Sequence, residues 1–180
     1  MANLVTNLMF VAEINIPNNT SPEVVETINW LINKYEPEIL EKLMGYELYG
    51  AYISNPEDQR IVDLISGVEY VKDDGTLAQW KGLKQSSTVS ILANYIYYQW
   101  QVFNVVKQGG QNTVIPKGAM SINISPNIKM IKAWNDLVTQ VRLMVQYLTA
   151  ETVADTYPEY SSKVSLDALC FFRKINEFDL

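Results

Sequence analysis

The sequence predicts a mainly α fold: a helical bundle around a long central helix, with one or two small β-hairpins and extended terminal arms. Three observations predict it. Residues 85–106 contain no charged side chain and are apolar on too many sides for a surface helix. Two Ser-Pro pairs, Ser21-Pro22 and Ser125-Pro126, each place a capping hydroxyl and a first-turn proline ahead of a helical apolar pattern. Asp74-Gly75 separates two short β-prone runs, the signal of a tight hairpin.

Taken in order, residues 1–20 read as an N-terminal arm with Phe10, Val11, Ile14 and Ile16 as docking points, ending in the turn Pro17-Asn18-Asn19-Thr20. The bundle domain then spans residues 21–160. Its first helix turns Ile28, Leu31, Ile32, Tyr35, Ile39 and Leu43 inward; Pro37 is expected to kink or restart it and Gly45 to end it. A short helix over 46–53 crosses the bundle. Another runs over 56–66, with Ile61, Leu64 and Ile65 inward and Gly67 closing it. The hairpin follows, pairing 68–71 with 76–80.

In the central helix, Leu92, Ile96, Phe103 and Val106 recur at helical spacing. Residues 108–125 carry Gly109-Gly110, Pro116-Lys117-Gly118 and the alternation Ser121-Ile122-Asn123-Ile124, which predicts a projecting loop or hairpin. Met130, Trp134, Leu137, Val141, Met144 and Leu148, flanked by Ile131, Val138 and Val145, give the next helix a broad core face. Tyr157-Pro158 ends that pattern. Residues 161–180 form a C-terminal arm whose Val164, Leu166, Leu169, Phe171 and Phe172 either pack on their own bundle or are offered to a partner.

Composition narrows the chemistry. The 180 residues suit one domain, and 48% hydrophobic against 19% charged residues excludes a disordered chain. A net charge of -6 disfavours a protein that grips DNA phosphate. Histidine is absent and Cys170 is the single cysteine, which excludes Ser-His-Asp and Cys-His nucleophiles, histidine metal sites, thiolate zinc clusters and internal disulfides. Within Leu169-Cys170-Phe171-Phe172, Cys170 is expected to be a small buried hydrophobe.

Gly109-Gly110 lacks the Lys-Ser or Lys-Thr of a phosphate loop, and Asp73 with Asp74 lacks the alternating ligands of a calcium loop. The pairs Glu36 with Glu38 and Glu23 with Glu26 read as solvated helix faces. No enzyme, metal or cofactor is therefore expected. Tyr95, Tyr97, Tyr98 and Trp100 have no basic residue among them to hold a nucleic-acid backbone. The N-terminus has no basic region ahead of an apolar run and no cleavage site, and polar residues interrupt 85–106 too often for a membrane span. A chain kept in a reducing cytoplasm is expected.

Along the central helix Ser87, Ser90, Asn94, Gln101 and Asn104 share one face with Tyr97. Neutral amides and hydroxyls suit a face that another protein surface partly dries, either a helix of the same subunit or a second subunit. Ser90, Asn94, Tyr97 and Gln101 are thus candidate subunit-interface residues, together with Ile115, Ile122 and Ile124 of the following loop.

Leu40-Glu41-Lys42-Leu43-Met44-Gly45-Tyr46-Glu47-Leu48-Tyr49, followed by Trp80-Lys81-Gly82-Leu83-Lys84 and then Ala93-Asn94-Tyr95-Ile96-Tyr97-Tyr98, forms an unusual combination. Over residues 20–150 this order resembles the small helical head-tail connector, or adaptor, proteins of tailed bacteriophages, in particular those of phages of Bacteroidetes. The resemblance implies a helical bundle with a projecting hairpin, assembled in the host cytoplasm into a ring, often of twelve copies, beneath the portal of the virion. Such a ring extends the DNA channel, which DNA traverses without specific binding, and offers a platform to tail or further ring proteins.

The family has no catalytic residues to carry over. The resemblance makes Val164, Leu166, Leu169, Phe171 and Phe172 the candidate portal-docking residues and the loop at 108–125 a neighbour contact or channel lining. Residues 1–19 and 151–180 match the pattern poorly. The alternative is a non-enzymatic, soluble protein-binding module or phage regulatory protein whose aromatic helix makes a groove.

Overall fold

The computed structural model describes residues 3–84, 90–108 and 126–175, which build six α-helices and one two-stranded antiparallel sheet. In chain order these are α1 (Pro22–Ser54), α2 (Gln59–Ser66), β1 (Val68–Val71), β2 (Leu77–Trp80), α3 (Ile91–Gln108), α4 (Pro126–Thr149), α5 (Glu151–Ala154) and α6 (Ser162–Phe171). The mainly α bundle with a small hairpin is the observed fold. The loop expected over 108–125 falls almost wholly on 109–125, outside the described residues.

Helix α1 starts at Pro22, whose fixed φ and missing N–H suit a first turn. Ser21 is extended as a cap should be, but its hydroxyl makes no capping bond; its carbonyl instead accepts from Val25 N–H at 2.9 Å. The helix runs through Pro37 without leaving helical geometry, against the expected kink. The carbonyl that Pro37 deprives of a donor belongs to Asn33, which is exposed, so water can bond it. The break comes at Gly45, where φ +73° and ψ 166° redirect the chain into a last segment that buries Leu48 and Tyr52.

Ile91 to Tyr97 are buried at every position, so α3 starts at the centre of the bundle and packs on α1 and α4. On α4, Leu137, Val138, Val141, Met144 and Leu148 are all buried, as their spacing predicts. Each fully buried Leu or Ile side chain adds about 1.5–3 kcal/mol relative to leaving it in water.

The Trp-Lys-Gly-Leu-Lys segment ahead of α3 docks on the end of α2. Trp80 Nε1 donates to Leu64 O at 2.8 Å, and the N–H groups of Leu83 and Lys84 donate to Leu64 O and Ile65 O. At Gly82, with φ +85°, a Cβ would fall 2.4 Å from Ile65 O, so only glycine permits this approach. Register pairs Val68 with Trp80 and Val71 with Leu77, and Trp80 stacks on Tyr147 of α4 with ring centroids 5.7 Å apart.

Both terminal segments fold back on the bundle. Two 3-10 turns, Asn7–Met9 and Ala12–Ile14, let Val5, Phe10, Ile14 and Ile16 bury. Val11, expected among the docking points, is 43% exposed, and the inward positions of this segment are taken by Phe10 before it and Ile14 after it. At the other end, the C-terminal arm is helical through α6. Its exit is clipped to α4, where Trp134 Nε1 donates to Arg173 O at 2.6 Å and Asn135 exchanges two bonds with the backbone of Ile175.

Candidate interaction surfaces

The neutral stripe of α3 divides along its length. Ser90, Asn94 and Tyr97 are each 1% exposed and face the interior of their own chain. Ser90 Oγ accepts from Ala93 N–H at 3.2 Å, capping the helix, and Asn94 Nδ2 donates to Ser90 O at 2.9 Å. Further along, Gln101 Nε2 donates to the Tyr97 hydroxyl at 2.6 Å and Asn104 Nδ2 to Trp100 O at 2.9 Å. These i to i-4 bonds let a helix carry amides in a dry environment without leaving them unpaired. Gln101 and Asn104 are half-buried and still reach the surface. Ile115, Ile122 and Ile124 lie outside the described residues.

The five apolar residues of the C-terminal segment do not share a face. Val164 packs at the bend of α1 and Phe172 is 1% exposed against Trp134, with ring centroids 6.0 Å apart. Ala168 lies between them on the same buried side. Leu166, Leu169 and Phe171 point outward, at 62%, 36% and 47% exposure. Cys170 is exposed too, contrary to expectation, because Ala168 and Phe172 fill the inward positions of that turn.

Between the bend of α1 and α6 runs a groove of about 590 Å3. Tyr46 and Phe171 stand on its walls, with the carboxylates of Glu41, Glu47 and Asp167 around them. Lys42 lines it as well, but its ammonium is held by Glu38 at 2.6 Å and lies 4.3 Å from the centre of the Phe171 ring. Nothing local in the sequence joins Tyr46 to Phe171. Only the bend at Gly45 and the docking of α6 bring them together.

Two buried polar clusters also escaped the sequence. Glu36, expected on a solvated face, is 4% exposed, and its two carboxylate oxygens accept from Leu4 N–H at 2.8 Å and Val5 N–H at 2.9 Å. Burial pushes this carboxyl above the usual carboxylate range, and the two N–H bonds pull back against it. Its neighbour Glu38 accepts from the Tyr95 hydroxyl at 3.3 Å. Burial first, then the charge of Glu38, pushes that phenol up to about 12.

The second cluster ties α2 to the segment between α5 and α6. Tyr157 donates to Arg60 O at 2.6 Å, Tyr147 and Tyr157 hydroxyls meet at 2.9 Å, and the Arg60 guanidinium bridges Asp58 and Glu159. These are bonds that order a fold.

Among the described residues no group of histidine, cysteine and carboxylate side chains could hold a metal ion, and no helix is long and apolar enough to cross a membrane. No protein-family model, curated protein or solved structure matches this chain.

Proposed function

We propose that this chain is a structural protein of a virion: a head-tail connector subunit that assembles with its own copies into a closed ring between portal and tail and extends the DNA channel. The outer face of α6 carries the reading. Leu166, Leu169 and Phe171 present apolar surface on a helix whose opposite face is already packed, which is what a segment that docks on another protein requires. The resemblance of the Leu-Met-Gly-Tyr-Glu-Leu and Trp-Lys-Gly-Leu-Lys segments to connector proteins names the portal as that partner. A net charge of -6 suits a passage that DNA phosphate crosses without sticking. In this reading Gln101, with Ile115, Ile122 and Ile124, contributes to contacts between copies, while Ser90, Asn94 and Tyr97 serve the subunit's own core. No cofactor, metal or catalysis is involved.

The test is a native mass measurement of the purified chain, alone and mixed with the portal oligomer encoded in the same genome. A ring of this chain bound to portal is the expected result. A monomer that neither binds portal nor forms any higher assembly overturns the proposal.

A further inference from the structure

The hairpin has one guarded edge and one bare edge. Lys72 N–H donates to Thr76 O at 2.9 Å, which makes Lys72 and Thr76 a hydrogen-bonded pair. Such pairs alternate along an antiparallel ladder, so the next are Tyr70 with Ala78 and Val68 with Trp80. The N–H and C=O groups of Glu69 and Val71 on one strand, and of Leu77 and Gln79 on the other, therefore point outward from the sheet's two edges. On β1 that edge is covered: Thr152 Oγ1 donates to Val71 O at 2.6 Å, and Asp73 at the turn accepts from Glu151 N–H at 2.8 Å. On β2, no group among the described residues bonds to Leu77 or Gln79 from outside the sheet.

Open edges are normally blunted by charge or proline. The run Thr76-Leu77-Ala78-Gln79-Trp80 holds neither, and Leu77 is 70% exposed. Between the sheet and α4 lies a hollow of about 120 Å3, lined by both strands and by Gln140, Leu143 and Gln146. Ala78 and Gln79 alternate to opposite faces, so a hollow that touches both opens at the β2 edge. Its only charged residues are Lys72 and Lys81, neither of which makes an ion pair among the described residues. Leu143, 44% exposed, gives it apolar surface.

We infer that β2 takes an added strand: an extended segment of another protein that carries carboxylate side chains, pairing its backbone with Leu77 and Gln79 and setting its acidic side chains against Lys72 and Lys81. The outward N–H and C=O groups call for a backbone as partner, the two lysines set the sign of its charge, and Leu143 receives an apolar side chain beside it. This surface shares no residue with the outer face of α6, so it goes beyond portal docking and is tested apart from it.

The probe is the peptide Thr-Val-Glu-Val-Glu-Val-Thr with blocked ends, set beside a twin with lysine in place of glutamate. Amide hydrogen exchange of the full chain, read residue by residue by NMR, reports the edge. In the chain alone Leu77 and Gln79 should exchange freely, while Tyr70 and Ala78, bonded across the ladder, are protected. The glutamate peptide at about 1 mM should slow Leu77 and Gln79, and the lysine peptide should bind about tenfold more weakly. L77P removes one outward N–H at the first position of the strand, where proline is tolerated, and should abolish the protection of Gln79. K72E/K81E leaves the backbone ladder untouched and should reverse the preference between the two peptides.

Protection of Leu77 and Gln79 in the chain alone would show the edge already covered, and protection that grows with protein concentration would make a second copy the occupant; either result overturns the inference. So does a glutamate peptide that slows neither amide, or equal binding of the two peptides. None of these results touches portal binding, which native mass judges separately.

Discussion

Val164 lies so close to Gly45 that a β-carbon on the glycine would stand 2.8 Å from both Val164 methyl groups. The bend of α1 and the docking of α6 are therefore one feature. Gly45, at φ +73° and ψ 166°, occupies a region that side-chain-bearing residues avoid, and the space its missing side chain leaves is filled by Val164. G45A should cost about 1–3 kcal/mol from backbone strain alone, plus the clash. In a V164A background the clash disappears and the strain remains, so the penalty of G45A should shrink by about 1 kcal/mol without vanishing. Urea unfolding of the four proteins of this cycle measures it; equal penalties in both backgrounds would show that α6 does not pack on the bend.

Glu36 makes the anchoring of the N-terminal segment depend on protons. Its carboxyl sits above the ordinary value of 4.5 in the fold because burial disfavours the charge more than the N–H groups of Leu4 and Val5 favour it. The folded chain then holds this proton more tightly than the unfolded one. The stability it contributes is fully present below about pH 4.5 and is lost as pH rises through the folded value. Melting temperatures of wild type and E36Q from pH 4 to 8 should differ by a curve that falls with pH in the wild type alone. A wild-type-minus-E36Q difference that rises over that range would contradict the burial argument. E36A, which strips both N–H groups of their acceptor, should speed hydrogen exchange at Leu4 and Val5.

Much of the fold was legible because its signals are local. Ile61, Leu64 and Ile65 share one turn, Asp74-Gly75 is a two-strand turn, and the apolar spacing of α4 repeats for about five turns. Two of the three segments that carry the resemblance hold a glycine at positive φ, Gly45 and Gly82, each pressed against another part of the chain. Their spacing therefore reports backbone approach within the subunit rather than a partner. Glu36, Cys170 and the groove were not legible, because each depends on a segment that is remote in sequence: residues 4–5 for Glu36, the inward choice of Ala168 and Phe172 for Cys170, and α6 against Tyr46 for the groove. Ser90, Asn94 and Tyr97 are buried within the subunit and Gln101 and Asn104 only half-buried, a division that depends on the placement of α3 in the bundle and not on the spacing of the stripe.

The C-terminal segment should separate into two classes of substitution. Phe172 is buried against Trp134, so F172A should cost about 3–5 kcal/mol. Leu166 and Leu169 point outward, so L166A and L169A should stay within about 0.5 kcal/mol of wild type in chemical unfolding. On the proposed function, the same two outward changes should weaken portal binding while the fold holds. Deleting residues 161–180 is then a poor test of docking, since it removes Phe172 and Val164 along with the outer face. A destabilised L166A would place that side chain in the core instead.

The stripe on α3 gives the sharpest contrast, because Asn94 and Gln101 are the same kind of residue two turns apart in different surroundings. Asn94 is 1% exposed, and N94D would put a carboxylate where water cannot reach and remove the bond to Ser90 O. If burial raises that carboxyl by about three units, the loss is about 4 kcal/mol at neutral pH and should recede as pH falls and the group protonates. Gln101 is half-buried and bonds through one amide hydrogen to Tyr97, so Q101E should cost only about 1 kcal/mol. Its effect belongs instead on assembly: a charge repeated on a face shared between copies should weaken a ring while leaving the monomer folded. Thermal melts of both variants, set beside their native masses, separate the two roles. A Q101E protein that assembles like wild type would confine the whole stripe to the subunit's interior.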